Sequence, residues 1–136
     1  ILGLVGSEMC IRDSTYSGHP VACAAALATL DIYQEEGLFD NAAHMAPIIE
    51  VAAHSLKGTK HIIDIRNLGV IAALELEPKG NAVGARGFEA MKKAWDLGLM
   101  VRANGDTLAF SPPLIIKENQ VDEMFTKVKK ALEQVD

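Results

Sequence analysis

The sequence predicts an α+β fold in which an antiparallel sheet is covered by helices. Two observations carry it: two pairs of short β-branched or alternating runs are each split by turn residues, and four stretches with helical spacing surround them. The resulting order is helix, helix, two strands, helix, two strands, helix, with no internal repeat or low-complexity segment. The 136 residues are 49% hydrophobic and 23% charged, with 13 Lys and Arg against 18 Asp and Glu for a formal net charge of −5. That is an ordinary globular composition, and a chain of this length can bury roughly two thirds of its unfolded surface without a disulfide staple. With two cysteines, 5% aromatics and an acidic balance, a disulfide scaffold, a cationic nucleic-acid binder and a surface-active membrane peptide are all disfavoured. Cys10 and Cys23 form no CxxC pair, so a reducing, cytoplasmic setting is expected.

The first fourteen residues, ILGLVGSEMCIRDS, lack the basic start and long apolar core of a signal peptide. VGSEMCIRDS resembles the translated sequencing-adapter remnant found fused to metagenome-derived reading frames, so residues 1–14 are expected to be non-native. Beyond them, Pro20 suits a first helical position and Gly37 a helix stop, giving a helix from about Pro20 to Glu36. Its run Val21 to Leu30 is apolar all round but shorter than the roughly 20 residues a membrane span needs. Such a helix needs neighbours on every face, so an absent domain or second subunit is expected.

Leu38, Ala42, Met45, Ile49, Ala52, Ala53 and Leu56 mark a second helix ending at Gly58, which Pro47 should kink or delay. Ile62 to Arg66 and Val70 to Glu77 read as a hairpin around Asn67-Leu68-Gly69. Phe88, Met91 and Trp95 share one face of a third helix ended by Gly98. Leu99 to Ala103 and Asp106 to Phe110 flank Asn104-Gly105, a strong two-residue hairpin signal. Val121, Met124, Phe125, Val128, Leu132 and Val135 form the stripe of a last helix, with Glu123 and Lys127 spaced to pair.

Little in this pattern declares chemistry. His19, His44, His54 and His61 show no HxxxH or HExxH spacing, no GxSxG elbow is present, and no metal site is expected. Gly80, Gly84 and Gly87 match neither GxGxxG nor a P-loop and read as turn and helix-start glycines. Arg102 alternates with Leu99 and Val101 and could offer a two-pronged donor to a carboxylate. From spacing alone, a surface pair with Asp106 across the hairpin is favoured. Arg66 has a similar surface reading beside Glu75 or Glu77, and Thr15 reads as a cap or a phosphate contact before a helix.

TYSGHP followed by VACAAALATLDIYQEEGL resembles the segment after the cofactor lysine in class III pyridoxal-phosphate aminotransferases of fold type I. IIDIRNLGVIAALEL, GLMVRANGDTLAFSPPLII and VDEMFTKVKKAL resemble that family's small C-terminal domain, closest to the omega-amino acid:pyruvate (beta-alanine:pyruvate) type. The resemblance implies that residues 15–37 are the loop and apolar helix ending a large domain, and 38–136 the small domain. It implies pyridoxal 5'-phosphate as cofactor, an amine and a keto acid as substrates, and a homodimer. Thr15 would meet the cofactor phosphate of the neighbouring subunit, and Arg102 would be the mobile arginine that pairs with a substrate carboxylate, displacing its surface-pair reading.

None of the nine lysines, Lys57, Lys60, Lys79, Lys92, Lys93, Lys117, Lys127, Lys129 and Lys130, sits in a motif resembling the family's Schiff-base lysine. The ring-nitrogen aspartate, the stacking aromatic and the glycine-serine phosphate loop are also missing. The expectation is a C-terminal fragment that cannot transaminate alone, with no catalytic residue of its own. Two alternatives stand beside it: a fragment of a gamma-aminobutyrate or diamine transaminase, and a free-standing α+β domain that binds a carboxylate or a partner without catalysis.

Overall fold

The computed structural model describes residues 17–136; the adapter-like segment, Thr15 and Tyr16 lie outside them. The chain divides into two compact units, Ile1–Gly37 and Leu38–Asp136. In the first, helix α1 spans Pro20–Glu35 with proline at its start, and none of its side chains is buried. Gly37 follows with φ 60, the left-handed conformation in which a helix stops without steric cost.

The second unit holds α2 (Leu38–His54), β1 (Ile62–Leu68), β2 (Ile71–Leu76), α3 (Ala85–Asp96), β3 (Arg102–Asn104), β4 (Thr107–Phe110) and α4 (Glu118–Leu132). The four strands form one antiparallel sheet in the order β1-β2-β4-β3. Alternation sends Ala72, Leu74, Leu76, Leu108 and Phe110 to one face, where they pack with Met45 and Ile49 of α2 and Val121, Val128 and Leu132 of α4. The α+β arrangement read from the sequence is therefore present. Asn41 fastens α2 to the segment after β4 by donating to the carbonyls of Leu114 at 2.6 Å and Ile116 at 3.1 Å.

The stripe of the last helix is buried at Val121, Met124, Phe125, Val128 and Leu132, while Val135, also buried, lies beyond the helix end at Leu132, and Glu123 pairs with Lys127 at 2.6 Å. Pro47 does not delay α2, which runs through it. Ala43, whose carbonyl a residue at 47 would normally bond, is exposed, so water can satisfy it.

Two expectations about turns are corrected, and the packing of one helix face is resolved. The turn of the first hairpin is Gly69-Val70, because Leu68 pairs with Ile71 and Gly69 takes φ 57 at the first central position. The second hairpin turns at Gly105-Asp106, not Asn104-Gly105, because Asn104 pairs with Thr107 and Gly105 takes φ 59. Of Phe88, Met91 and Trp95 on α3, only Met91 packs against the core. Phe88 and Trp95 are 57% and 65% exposed, whereas Gly87, Ala90 and Ala94 are buried. Small residues let α3 approach so closely that a Cβ on Gly87 would lie 2.2 Å from the Gly105 carbonyl oxygen.

Candidate functional site

The sheet face opposite the helices carries a polar row set by strand register. Arg66 on β1 pairs with Ala73 on β2, Ala73 with Ala109 on β4, and Ala109 with Arg102 on β3. Two arginines thus stand at the ends of one row, with two alanines as a flat floor between them. The next row runs Asp64, Glu75, Thr107 and Asn104.

Arg66 is paired with two acids. Its Nη1 donates to Asp64 Oδ2 at 2.6 Å and to Glu75 Oε2 at 2.5 Å, and these hydrogen bonds, Glu75 first, hold its pKa above the ordinary arginine value. Asp64 and Glu75 are directly opposed like charges, a destabilising cross-strand pair that the guanidinium between them neutralises.

Arg102 is not engaged. It is exposed, and among the described residues it makes no hydrogen bond or ion pair. The surface pair with Asp106 does not form, because the Asp106 carboxylate turns away and is buried. Its Oδ2 accepts the N–H of Gly84 at 2.6 Å and its Oδ1 the N–H of Gly87 at 3.0 Å. Burial by itself would raise the Asp106 pKa. The backbone donors of Gly84, Gly87 and Arg86, with the Arg86 charge, outweigh it and hold the carboxyl below the usual range. Sequence reasoning weighed Asp106 only as a partner for Arg102. Its partners lie 22 and 19 residues away, and a glycine start to α3 with no capping side chain of its own was the one available signal.

Arg102 stands at the rim of an apolar cavity of about 540 Å³ lined by Met100, Arg102, Ala109, Pro112, Met124 and Lys127, among others. Met100, on the same face two residues earlier, is 82% exposed, while Val101 between them is buried. A larger cavity of about 670 Å³ lies beside Val51 and Phe125, but its charged groups are Asp122 and Lys129, with no arginine. Chemistry rather than volume therefore selects the Arg102 rim.

The placement of the lysines bears on the implied cofactor. All nine fall within the described residues and none is buried. Lys60 donates to the Val135 carbonyl at 3.1 Å, and Lys79 and Lys127 pair with Glu89 and Glu123. Thr15, the expected phosphate contact, lies outside the described residues. Among the described residues no group of His, Cys, Asp or Glu could hold a metal ion, and no helix is long and apolar enough to cross a membrane.

The chain is similar to known proteins in sequence and in fold. The Omega-aminotransferase of Caulobacter vibrioides is 46% identical over 122 residues, covering 90% of this chain and 28% of that protein. The beta-alanine–pyruvate aminotransferase of Pseudomonas aeruginosa is 44% identical over 118 residues, covering 87% of this chain and 26% of that protein. Among solved structures, the omega transaminase from Pseudomonas jessenii in complex with PMP superposes with a TM-score of 0.82 at 36% identity, covering 88% of this chain and 28% of that one. The chain thus spans little more than a quarter of the length of these relatives. The family profile described as Aminotransferase class-III matches residues 5–132, and the chain belongs to that family.

Proposed function

We propose that this chain is the substrate-gripping small domain of a longer pyridoxal-phosphate-dependent transaminase, which moves an amino group from an omega-amino acid or amine to pyruvate or a similar keto acid. The observation that carries the reading is Arg102: an unpaired, exposed guanidinium on an edge strand at the rim of an apolar cavity. Its planar fork suits a carboxylate; Thr107 and Asn104 beside it are neutral, and Glu123, the acid lining the cavity, is paired with Lys127. The names of the relatives at 46% and 44% identity support the omega-amino acid class.

In this reading the cofactor is anchored by a lysine outside this sequence and serves as electron sink. Thr15 contacts its phosphate across a homodimer interface, and the enzyme works in the cytoplasm. This chain contributes recognition: Arg102 closes on a carboxylate and withdraws for an amine that lacks one.

The test uses the full-length enzyme, read from the native locus upstream of Thr15. Arg102→Ala should lower kcat/KM for pyruvate roughly 10- to 100-fold more than for an uncharged aldehyde acceptor, because only pyruvate loses a charge-assisted pair. Equal losses would remove the carboxylate role. The 136-residue chain alone, mixed with pyridoxal phosphate, should give no Schiff-base absorption band and no turnover.

A further inference from the structure

The arginine sits on an edge strand. Strand β3 has three residues and is paired only with the interior strand β4, so few ladder bonds of its own set its position. The far end of that hairpin is nevertheless fastened. The Asp106 carboxylate takes the Gly84 N–H at 2.6 Å and the Gly87 N–H at 3.0 Å, while its backbone carbonyl takes the Leu76 N–H at 2.9 Å. One turn residue thereby joins β2, the start of α3 and the hairpin.

The turn does not require a buried charge for its shape. Gly105 supplies the positive φ, and the next position accepts neutral residues equally well. Desolvating a carboxylate is costly unless the group is well bonded, and here the bonds are spent on anchoring. Close packing repeats the constraint: with the Gly105 carbonyl oxygen 2.2 Å and the Asp106 Cα 2.9 Å from where a Gly87 Cβ would stand, α3 and the turn share one surface with no slack.

We propose that Asp106 is a positioning residue for Arg102: by pinning the Gly105-Asp106 turn to the first turn of α3, it fixes where the edge strand presents its guanidinium to a substrate carboxylate. The proposal rests on the carboxylate reading of Arg102. Arg102 lies one strand length from the turn, so loosening the pin displaces the guanidinium, and misplacements near 1 Å can cost up to about 100-fold in rate.

The experiment measures, in the full-length enzyme, the ratio of KM for pyruvate to KM for an aldehyde acceptor of similar size. Asp106→Ala is expected to raise that ratio roughly tenfold, Asp106→Asn less, and neither should raise it further in an Arg102→Ala background, because coupled residues are non-additive. In the 136-residue chain, the same substitutions should speed hydrogen exchange at the Gly84 and Gly87 amides. If Asp106→Ala does not fold, Asp106→Asn, which keeps one acceptor oxygen, is read by the same ratio. A ratio that moves for Arg102→Ala but not for the Asp106 variants overturns the positioning role alone. A ratio that moves for neither overturns the carboxylate reading of Arg102, and the positioning role with it.

Discussion

Arg66 and Arg102 occupy opposite ends of one row across the sheet, three strand spacings and so about 14 Å apart. They differ in what the adjoining row places beside them. On the β1–β2 side that row supplies Asp64 and Glu75, and both close on Arg66. On the β3–β4 side it supplies Asn104 and Thr107, which are neutral, and Arg102 keeps its donors for something else. The same side chain on the same face is structural at one end and available for binding at the other. Its neighbours two residues along the strand decide which, so a candidate binding arginine is recognised by missing acids as much as by its own identity.

The hairpins beneath the two arginines differ in the same sense, and glycine substitutions should break that comparison most severely. A Gly87→Val side chain would meet backbone atoms of Gly105 and Asp106, and backbone cannot rotate away. Urea unfolding of the chain should show a loss of about 3 kcal/mol or more. Gly69→Ala, in the turn of the other hairpin, meets nothing within 4 Å and is strained only by φ +57, so its loss should stay near 1–2 kcal/mol. Equal losses at the two positions would mean that the second hairpin is no more tightly held than the first.

Replacing Asp106 tests the same hold through charge. Its folded pKa is depressed, so the unfolded chain binds the proton more readily. The stability it contributes is fully present above the unfolded carboxylate value of about 3.9 and is lost as pH falls through the lower folded value. Asp106→Asn should therefore cost about 1–2 kcal/mol near neutral pH, with the gap to the parent closing only below about pH 4. A gap that already closes between pH 6 and 5 would show that the carboxyl is not held low.

These tests also mark where the sequence was readable. The α4 stripe was legible because large apolar residues at helical spacing leave one packing solution. The inward face of α3 was not, because hydropathy favours Phe88 and Trp95 while packing at this approach distance selects Gly87, Ala90 and Ala94 for size. The turn at Gly105-Asp106 was misplaced by one residue because Asn104-Gly105 and Gly105-Asp106 both read as two-residue turns, and the pairing of Asn104 with Thr107 decides between them. Arg102 itself was visible from strand alternation only as one of two readings. The family resemblance tipped it toward binding, and the buried, outward-turned Asp106 removes the competing partner.

A direct conversion of one arginine toward the other sharpens the opening comparison. Thr107→Glu places a carboxylate next to Arg102 in the row that gives Arg66 its Glu75. In the full-length enzyme it should raise KM for pyruvate roughly three- to tenfold by offering Arg102 an internal partner. An unchanged KM would mean that Arg102 does not meet the substrate.

The reverse change should have the smallest effect. Arg66→Ala leaves Asp64 and Glu75 opposed across the strands without a cation. Their side chains are 51% and 39% exposed, so water and salt screen the repulsion. A small fall in Tm is expected, shrinking as ionic strength rises, and the pyruvate-to-aldehyde KM ratio should stay where it was, because the charge of Arg66 is already matched by Asp64 and Glu75. A ratio that shifts with Arg66→Ala as it does with Arg102→Ala would mean that the two ends of the row act together and that the acids beside Arg66 do not remove it from binding.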